Sequence, residues 1–362
     1  PIVTNTLRIW SHDNFGEDLL INVRNGGVYY WDKTGGFATR AVNLASLAGS
    51  TSAPSIAKQI MVSDRDRHII AFGCDPEANA GVQDPLVIRF SSQESLTDWA
   101  STATNTAGEL RLGSGSEIVT AVETRQQILV YTDESLYAMQ FLGPPFTFGV
   151  NLVSENITTM GPLCAVAVED NVFWMGLKEF YVYGGTVQRL PCSVRDFVFD
   201  DFNLLQREKV VAATNTAFSE VWWFYPSASS DTNDRYVIYN YEQQVWYYGA
   251  LARSYWMDRG IFDNPIAAGP NNYLYTQESG FDDDGSALTA YIESSQMDIG
   301  DGEQFSFIRR MIPDLTFRGS TAGSPSANIT VKTRNFPGGN YLQSTSSAVT
   351  KSASVPVEQF TD

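Results

Sequence analysis

Residue types that do catalysis or hold metals are sparse in this chain. There are only two histidines, His12 and His68, and three cysteines, Cys74, Cys164 and Cys192. Ser11-His12-Asp13 contains the residue types of a nucleophilic triad. Neighbours on an extended chain point to opposite faces, so these three cannot form a relay, and a turn is the better reading. His68 is expected at a hairpin tip, in solvent. The cysteines are scattered and form no CxxC pair, and Cys164 lies in the apolar run 163–168. An odd number at such spacing argues for free core thiols and a reducing site of assembly. Two histidines and three dispersed cysteines give no zinc-ligand spacing. Asp282-Asp283-Asp284-Gly285-Ser286 offers oxygens for calcium. A calcium loop needs alternate ligands with glycine sixth, whereas here glycine is fourth, so an exposed acidic turn is expected. Gly113-Ser114-Gly115-Ser116-Glu117 lacks the lysine of a phosphate loop. No carboxylate pair stands out among 41 acidic residues. The expectation is therefore no catalytic residue, no metal ligand, no cofactor-binding residue and no cofactor.

Sugar chemistry has slightly more to point to. Ser95-Leu96-Thr97-Asp98-Trp99 is a faint echo of the repeated Asp-box turns of propeller glycosidases. Trp222-Trp223 and Trp246-Tyr247-Tyr248 could serve as sugar platforms. At strand spacing such stripes are more often core and inter-blade packing.

The elements that would have to position any site are short strands. Residues 169–190 show the unit clearly. Val172-Phe173-Trp174-Met175 is broken by Gly176-Leu177-Lys178-Glu179, and Phe180-Tyr181-Val182-Tyr183 is broken by Gly184-Gly185. Aromatic and β-branched runs punctuated by glycine are the hairpin signal. A polar turn followed by such a run recurs from residues 28, 69, 128, 172, 221 and 273, at spacings of 41, 59, 44, 49 and 52. A period of roughly 40–50 residues with four strands per unit is that of β-propeller blades. One blade cannot cover both of its faces, and stacking around an axis covers them all.

The sequence thus predicts an all-β chain: a β-propeller of about six blades over residues 1–285, then a β-sandwich-like platform domain over 286–362 that the chain end cuts short. The N-terminal strand is expected to pair with the last blade and close the ring. The stretch 10–18 reads as a polar turn, 194–202 and 203–209 as short helices, and 287–299, 305–317 and 327–333 as longer alternating strands. No run reaches the roughly 18 apolar residues of a membrane helix, no signal peptide is visible, and no membrane insertion is expected. The net charge of −17 disfavours gripping nucleic acid, which needs clustered lysine and arginine. It suits solubility, and equally a surface that DNA must pass without sticking.

Several motifs resemble the tail nozzle or hub proteins of short-tailed bacteriophages. Trp10-Ser11-His12-Asp13-Asn14-Phe15-Gly16-Glu17-Asp18-Leu19-Leu20, followed by Gly27-Val28-Tyr29-Tyr30-Trp31-Asp32, resembles their opening. Thr132-Asp133-Glu134-Ser135-Leu136-Tyr137 with Gly143-Pro144-Pro145-Phe146, and then Phe173-Trp174-Met175-Gly176 with Phe180-Tyr181-Val182-Tyr183, continue the likeness. Asn233-Asp234-Arg235-Tyr236-Val237 with Asn240-Tyr241 and Trp246 complete it, over most of residues 1–317. The resemblance implies a structural virion protein, not an enzyme. It implies a homohexameric ring below the portal and adaptor, with tail fibres as further partners. Genome DNA would be retained by, and ejected through, a channel that the propellers surround. It implies assembly in the host cytoplasm, residence in the virion tail, and a chain that continues beyond Asp362 with oligomerisation elements. The alternative is a carbohydrate-binding or glycan-cleaving propeller at the tail tip. A bland third reading is a cellular interaction scaffold, for which no symmetric ring is expected.

Overall fold

The computed structural model describes residues 7–280 throughout and, beyond them, shorter stretches of which the longest are 291–295, 326–334 and 351–355. The chain divides into two compact units, Pro1–Gly280 and Phe281–Asp362.

The first unit is a six-sheet propeller in which each sheet is an antiparallel meander in chain order. Sheet 1 holds Trp10–Phe15, Asp18–Val23, Val28–Trp31 and Val42–Asn43. Sheet 2 holds Gln59–Val62, Ile69–Phe72, Val87–Phe90 and Gly108–Arg111. Sheet 3 holds Ile118–Glu123, Ile128–Thr132, Ser135–Gly143 and Thr147–Glu155. Sheet 4 holds Ala165–Val168, Asn171–Met175, Phe180–Tyr183 and Val187–Leu190. Sheet 5 holds Val211–Asn215, Glu220–Tyr225, Arg235–Asn240 and Val245–Ala250. Sheet 6 has three strands among the described residues, Tyr255–Met257, Ile266–Ala268 and Leu274–Thr276. Successive sheets meet mainly through their first strands, which are therefore the inner ones.

The alternation of side chains along each strand divides the core between neighbours. In sheet 2, Ile69 and Ala71 pack towards sheet 1, while Ile70 and Phe72 pack towards sheet 3. In sheet 3, Ile128 and Val130 face sheet 2, and Leu129 and Tyr131 face sheet 4. In sheet 5, Val221, Trp223 and Tyr225 join sheet 4, and Trp222 and Phe224 join sheet 6. Strands buried on both faces read as continuous apolar runs rather than as alternation. That is why they were legible in the sequence.

Four structural details differ from expectation. The stretch read as a turn at 10–18 contains the strand Trp10–Phe15, paired with Asp18–Val23 from Trp10↔Val23 to Phe15↔Asp18. The repeat had slipped at both ends. The apolar runs from 69, 128, 172 and 221 lie in second strands, but those from 28 and 273 coincide with third strands. The outer strands Gly108–Arg111 and Thr147–Glu155 carry few buried residues and so gave no apolar signal. In the second unit, Ala327–Val331 is a strand, paired with Lys351–Val355. Within the expected strand 287–299, residues 291–295 are not strand. The rest of that stretch and most of 305–317 lie outside the described residues. So do residues 1–6, on which the expected closing strand partly falls; the first described strand pairs within sheet 1. The short helices are Arg195–Asp200 and the 3-10 segment Leu204–Lys209. No helix among the described residues is long and apolar enough to cross a membrane.

Candidate functional site

The groups most able to do chemistry gather where the inner strands end. Contacts between inner strands advance in step, as they do for strands that run parallel. Ser11 Oγ accepts from Ile60 N at 3.1 Å, and Asp13 Oδ2 accepts from Val62 N at 2.8 Å. The Gln59 amide grips Ala121, donating to its carbonyl at 2.8 Å and accepting from its N–H at 2.9 Å. Asp64 N donates to Glu123 Oε1 at 3.0 Å. Leu163 and Val211 form a parallel bridge between sheets 4 and 5. Thr214 Oγ1 and Thr216 N both donate to Asp258 Oδ2, at 3.1 and 3.0 Å, between sheets 5 and 6. These side chains supply what a neighbouring backbone would supply in a continuous sheet. They satisfy donors and acceptors that would otherwise be buried without a partner.

Two arcs of carboxylates result. In sheets 1–3, Asp13, Asp64, Asp66 and Glu123 converge. Burial is the main cause that raises the Glu123 carboxyl to about 7, and the charges of Asp64, Asp13 and Asp66 add to it. Burial also raises Asp13, against its backbone hydrogen bonds from Val62 and Asn14, and raises Asp66, against the charge of Arg65. In sheets 5 and 6, burial raises Glu220; the hydrogen bond from Trp222 Nε1 at 2.9 Å opposes this, and the charge of Glu278 adds to it. Between sheets 4 and 5, an open depression of about 550 Å³ is lined by Glu169, Glu242, Thr214, Thr216, Ser219 and Tyr241. The region offers acceptors and negative charge, interspersed with exposed arginines such as Arg65 and Arg125. Among the described residues no group of three or more histidine, cysteine or acidic side chains is arranged to hold a metal.

The residues singled out in the sequence are dispersed. Ser11 and Asp13 lie on one face of their strand and bond sheet 2, while His12 lies on the other and is exposed. The element is a strand rather than the expected turn, and its alternation sets His12 apart from Ser11 and Asp13. His68 is not solvated. It is 0% exposed, with its ring 5.1–6.4 Å from those of Phe148, Phe141 and Phe90, and its Nε2 is 3.2 Å from Thr106 Oγ1. Burial lowers its pKa to about 4, so it is neutral at physiological pH. The exposed charged turn at Asp64-Arg65-Asp66-Arg67 ends one residue earlier, and His68 leads into the buried strand Ile69–Phe72 under Phe141 and Phe148. The three cysteines are free; Cys74 and Cys164 are buried and Cys192 is half-buried. In the acidic turn, Asp282 accepts from Gly285 N at 3.1 Å. The Asp-box echo folds as a tight turn in which Ser95 Oγ accepts from Asp98 N, and Trp99 is buried with its indole bonded to Leu96 O. The tryptophan stripes are junction packing. Trp222 stacks on Trp256 at 5.1 Å, and Trp223 Nε1 donates to Cys164 O at 3.0 Å. Tyr247 and Tyr248 are exposed, and Tyr248 lies 4.3 Å from the ring of Phe197.

Sequence reasoning missed Ser11, Asp13, Gln59 and Glu123. A signal was present for the first two: polar residues two apart within a strand share a face and need a partner there.

No family model matches the chain, and no curated protein does. The structure is similar to an extracellular domain from B. thetaiotaomicron, with a TM-score of 0.48 and 11% identity over 80% of this chain and 33% of that one. The present chain thus spans about a third of that protein. It is also similar to the computationally designed protein Ika8, with a TM-score of 0.44 and 10% identity over 73% of this chain and 69% of that one. A third neighbour is Kluyveromyces marxianus Hsv2, with a TM-score of 0.40 and 7% identity over 72% of each chain.

Proposed function

We propose that this chain is a structural component of a short phage tail, non-enzymatic, that assembles as a ring around the channel through which genome DNA is held and released. The observation that carries the reading is the crowding of carboxylates at the inner strand ends, on a chain of net charge −17. DNA carries about one charge per 1.7 Å of duplex axis. A surface that presents carboxylates to it stays unbound and lets it slide. The ordered motifs from Trp10 to Trp246 support the same reading, and the partners that follow from it are adaptor and portal-proximal tail proteins and tail fibres.

The test is retention of linear duplex DNA at low salt, measured by gel mobility. The expected result is no retention by the natural chain, and measurable retention by a variant with Asp64→Lys, Asp66→Lys and Glu169→Lys. DNA retention by the natural chain would overturn the proposal. So would selective binding or hydrolysis in a glycan array, which would instead support a carbohydrate-binding propeller using the exposed pair Tyr248 and Phe197.

A further inference from the structure

Three oxygen-bearing side chains from three strand ends meet where sheet 5 packs on sheet 6. Asn215 ends the first strand of sheet 5 and Glu220 opens the second, and the two stand directly opposite each other. Residues so paired share a face, with Cβ atoms about 4.5–5.5 Å apart. That face is turned to sheet 6, because Ala213 and Trp222, the pair two residues further along the same strands, pack with Trp256 and Ala267. Glu278 follows the last strand of sheet 6, and Asn215 Nδ2 donates to its Oε1 at 3.4 Å. Asn215 is 0% exposed, yet its Oδ1 accepts no hydrogen bond among the described residues. A buried amide oxygen left unpaired is costly. Glu220 uses Oε2 to accept from Trp222 Nε1, which leaves Oε1 for another partner. The charge of Glu278 repels that of Glu220. No ion pair among the described residues involves either carboxylate. Two like charges and an unpaired amide oxygen gathered at one place are a donor set for a hard cation.

We propose that Asn215, Glu220 and Glu278 bind a calcium ion, which ties sheet 6 to sheet 5. Calcium takes carboxylate, amide and water oxygens in a flexible geometry, whereas magnesium demands a near-ideal octahedron. Two carboxylates and one amide oxygen form the protein part of the shell. Water completes it from the open side, where Glu278 is exposed. Half a turn of the Asn215 amide exchanges Oδ1 with Nδ2 and sets the oxygen towards Glu278. The ion then partners the buried oxygen and offsets the repulsion between the two carboxylates. Sheet 6 has need of such a tie, because its three strands are of three residues each and only a small apolar cluster holds it to sheet 5. The three residues form no metal motif in the sequence, since Glu278 meets the other two only through the packing of one sheet on the next. The site does not depend on the tail reading.

The test is terbium luminescence on the full chain after treatment with a chelator. Terbium seeks the same oxygen donors as calcium, and the indole of Trp222, bonded to Glu220, is placed to sensitise its emission. The expected result is emission that saturates at one ion per chain and is displaced by calcium, with an apparent affinity at least tenfold weaker in Glu278→Gln. Glu278 is exposed, so that variant keeps its fold. Glu155→Gln, exposed at the end of the outer strand of sheet 3, should bind as the natural chain does. Calcium should also raise the urea midpoint of the natural chain and leave that of Glu278→Gln where it was. Emission that never saturates, or that is unchanged in Glu278→Gln, would overturn the proposal in favour of diffuse adsorption to an acidic surface. Displacement by magnesium as readily as by calcium would overturn the assignment to calcium. Glu220→Gln, which keeps an acceptor for the Trp222 indole, is read in the same way as Glu278→Gln.

Discussion

The junction of sheets 4 and 5 and the junction of sheets 6 and 1 are built from the same kinds of residue, yet among the described residues only the first is sealed. Between sheets 4 and 5, Trp223 is fully buried, its ring lies 4.9 Å from Phe180, and its indole donates across the junction to Cys164 O. Phe180 in turn meets Trp246 at 4.8 Å, and the Trp246 indole donates to Pro191 O. At the other junction, Trp10, Tyr255 and Met257 are half exposed. The comparison teaches that aromatic content alone does not fix a junction. What fixes it is a large side chain with one polar atom, placed where a neighbouring carbonyl can take it.

The comparison can be broken most forcefully at its sealed end. Trp223→Ala removes a fully buried tryptophan from the junction and one of the two hydrogen bonds accepted by the Cys164 carbonyl, the other coming from Met175 N at 3.2 Å. It is expected to cost about 3–5 kcal/mol, read as a lowered midpoint in urea unfolding. Tyr255→Ala, on the open face of sheet 6, should cost far less in the same assay. Gln59→Ala comes next. It leaves both the N–H and the carbonyl of Ala121 without their partner, at about 1–3 kcal/mol, and Gln59→Glu, which keeps only the acceptor, should recover part of that loss.

Two effects are smaller and show as slopes with pH. The Glu123 carboxyl is raised from 4.5 to about 7. Between those values the folded chain holds more protons than the unfolded one, so this group makes stability fall as pH rises through that window. Glu123→Gln should flatten that slope, measured by urea midpoints at pH 5 and pH 8. His68 is lowered from 6.5 to about 4. The unfolded chain holds the extra proton in that window, so stability falls as pH falls through it. His68→Phe should remove that acid sensitivity. The smallest effect is expected for Tyr248→Ala at the outer edge of sheet 5, within about 0.5 kcal/mol.

The sealed half of this comparison was legible before the structure. Runs such as Val221-Trp222-Trp223-Phe224-Tyr225 must be buried on both sides, and their spacing gives the propeller. The open half was not. Trp10–Phe15 reads as a turn because Ser11 and Asp13 are polar, and their partners Ile60 and Val62 lie far along the chain. Periodicity reports which faces are apolar and says nothing about which distant strand meets them. For the same reason Glu123 looked like one acid among many. Its carboxyl is raised first by burial, and then by the charges of Asp64 and Asp13, which come from two other sheets. The burial of His68 depends on Phe141 and Phe148 from the next sheet, which no local pattern ties to it.

The central claim, a ring-forming tail component, is tested most directly by the mass of the purified chain in solution together with negative-stain images of the particles. The account predicts closed six-fold rings with an axial hole. A population of single propellers at every concentration examined, with selective glycan binding, would contradict it.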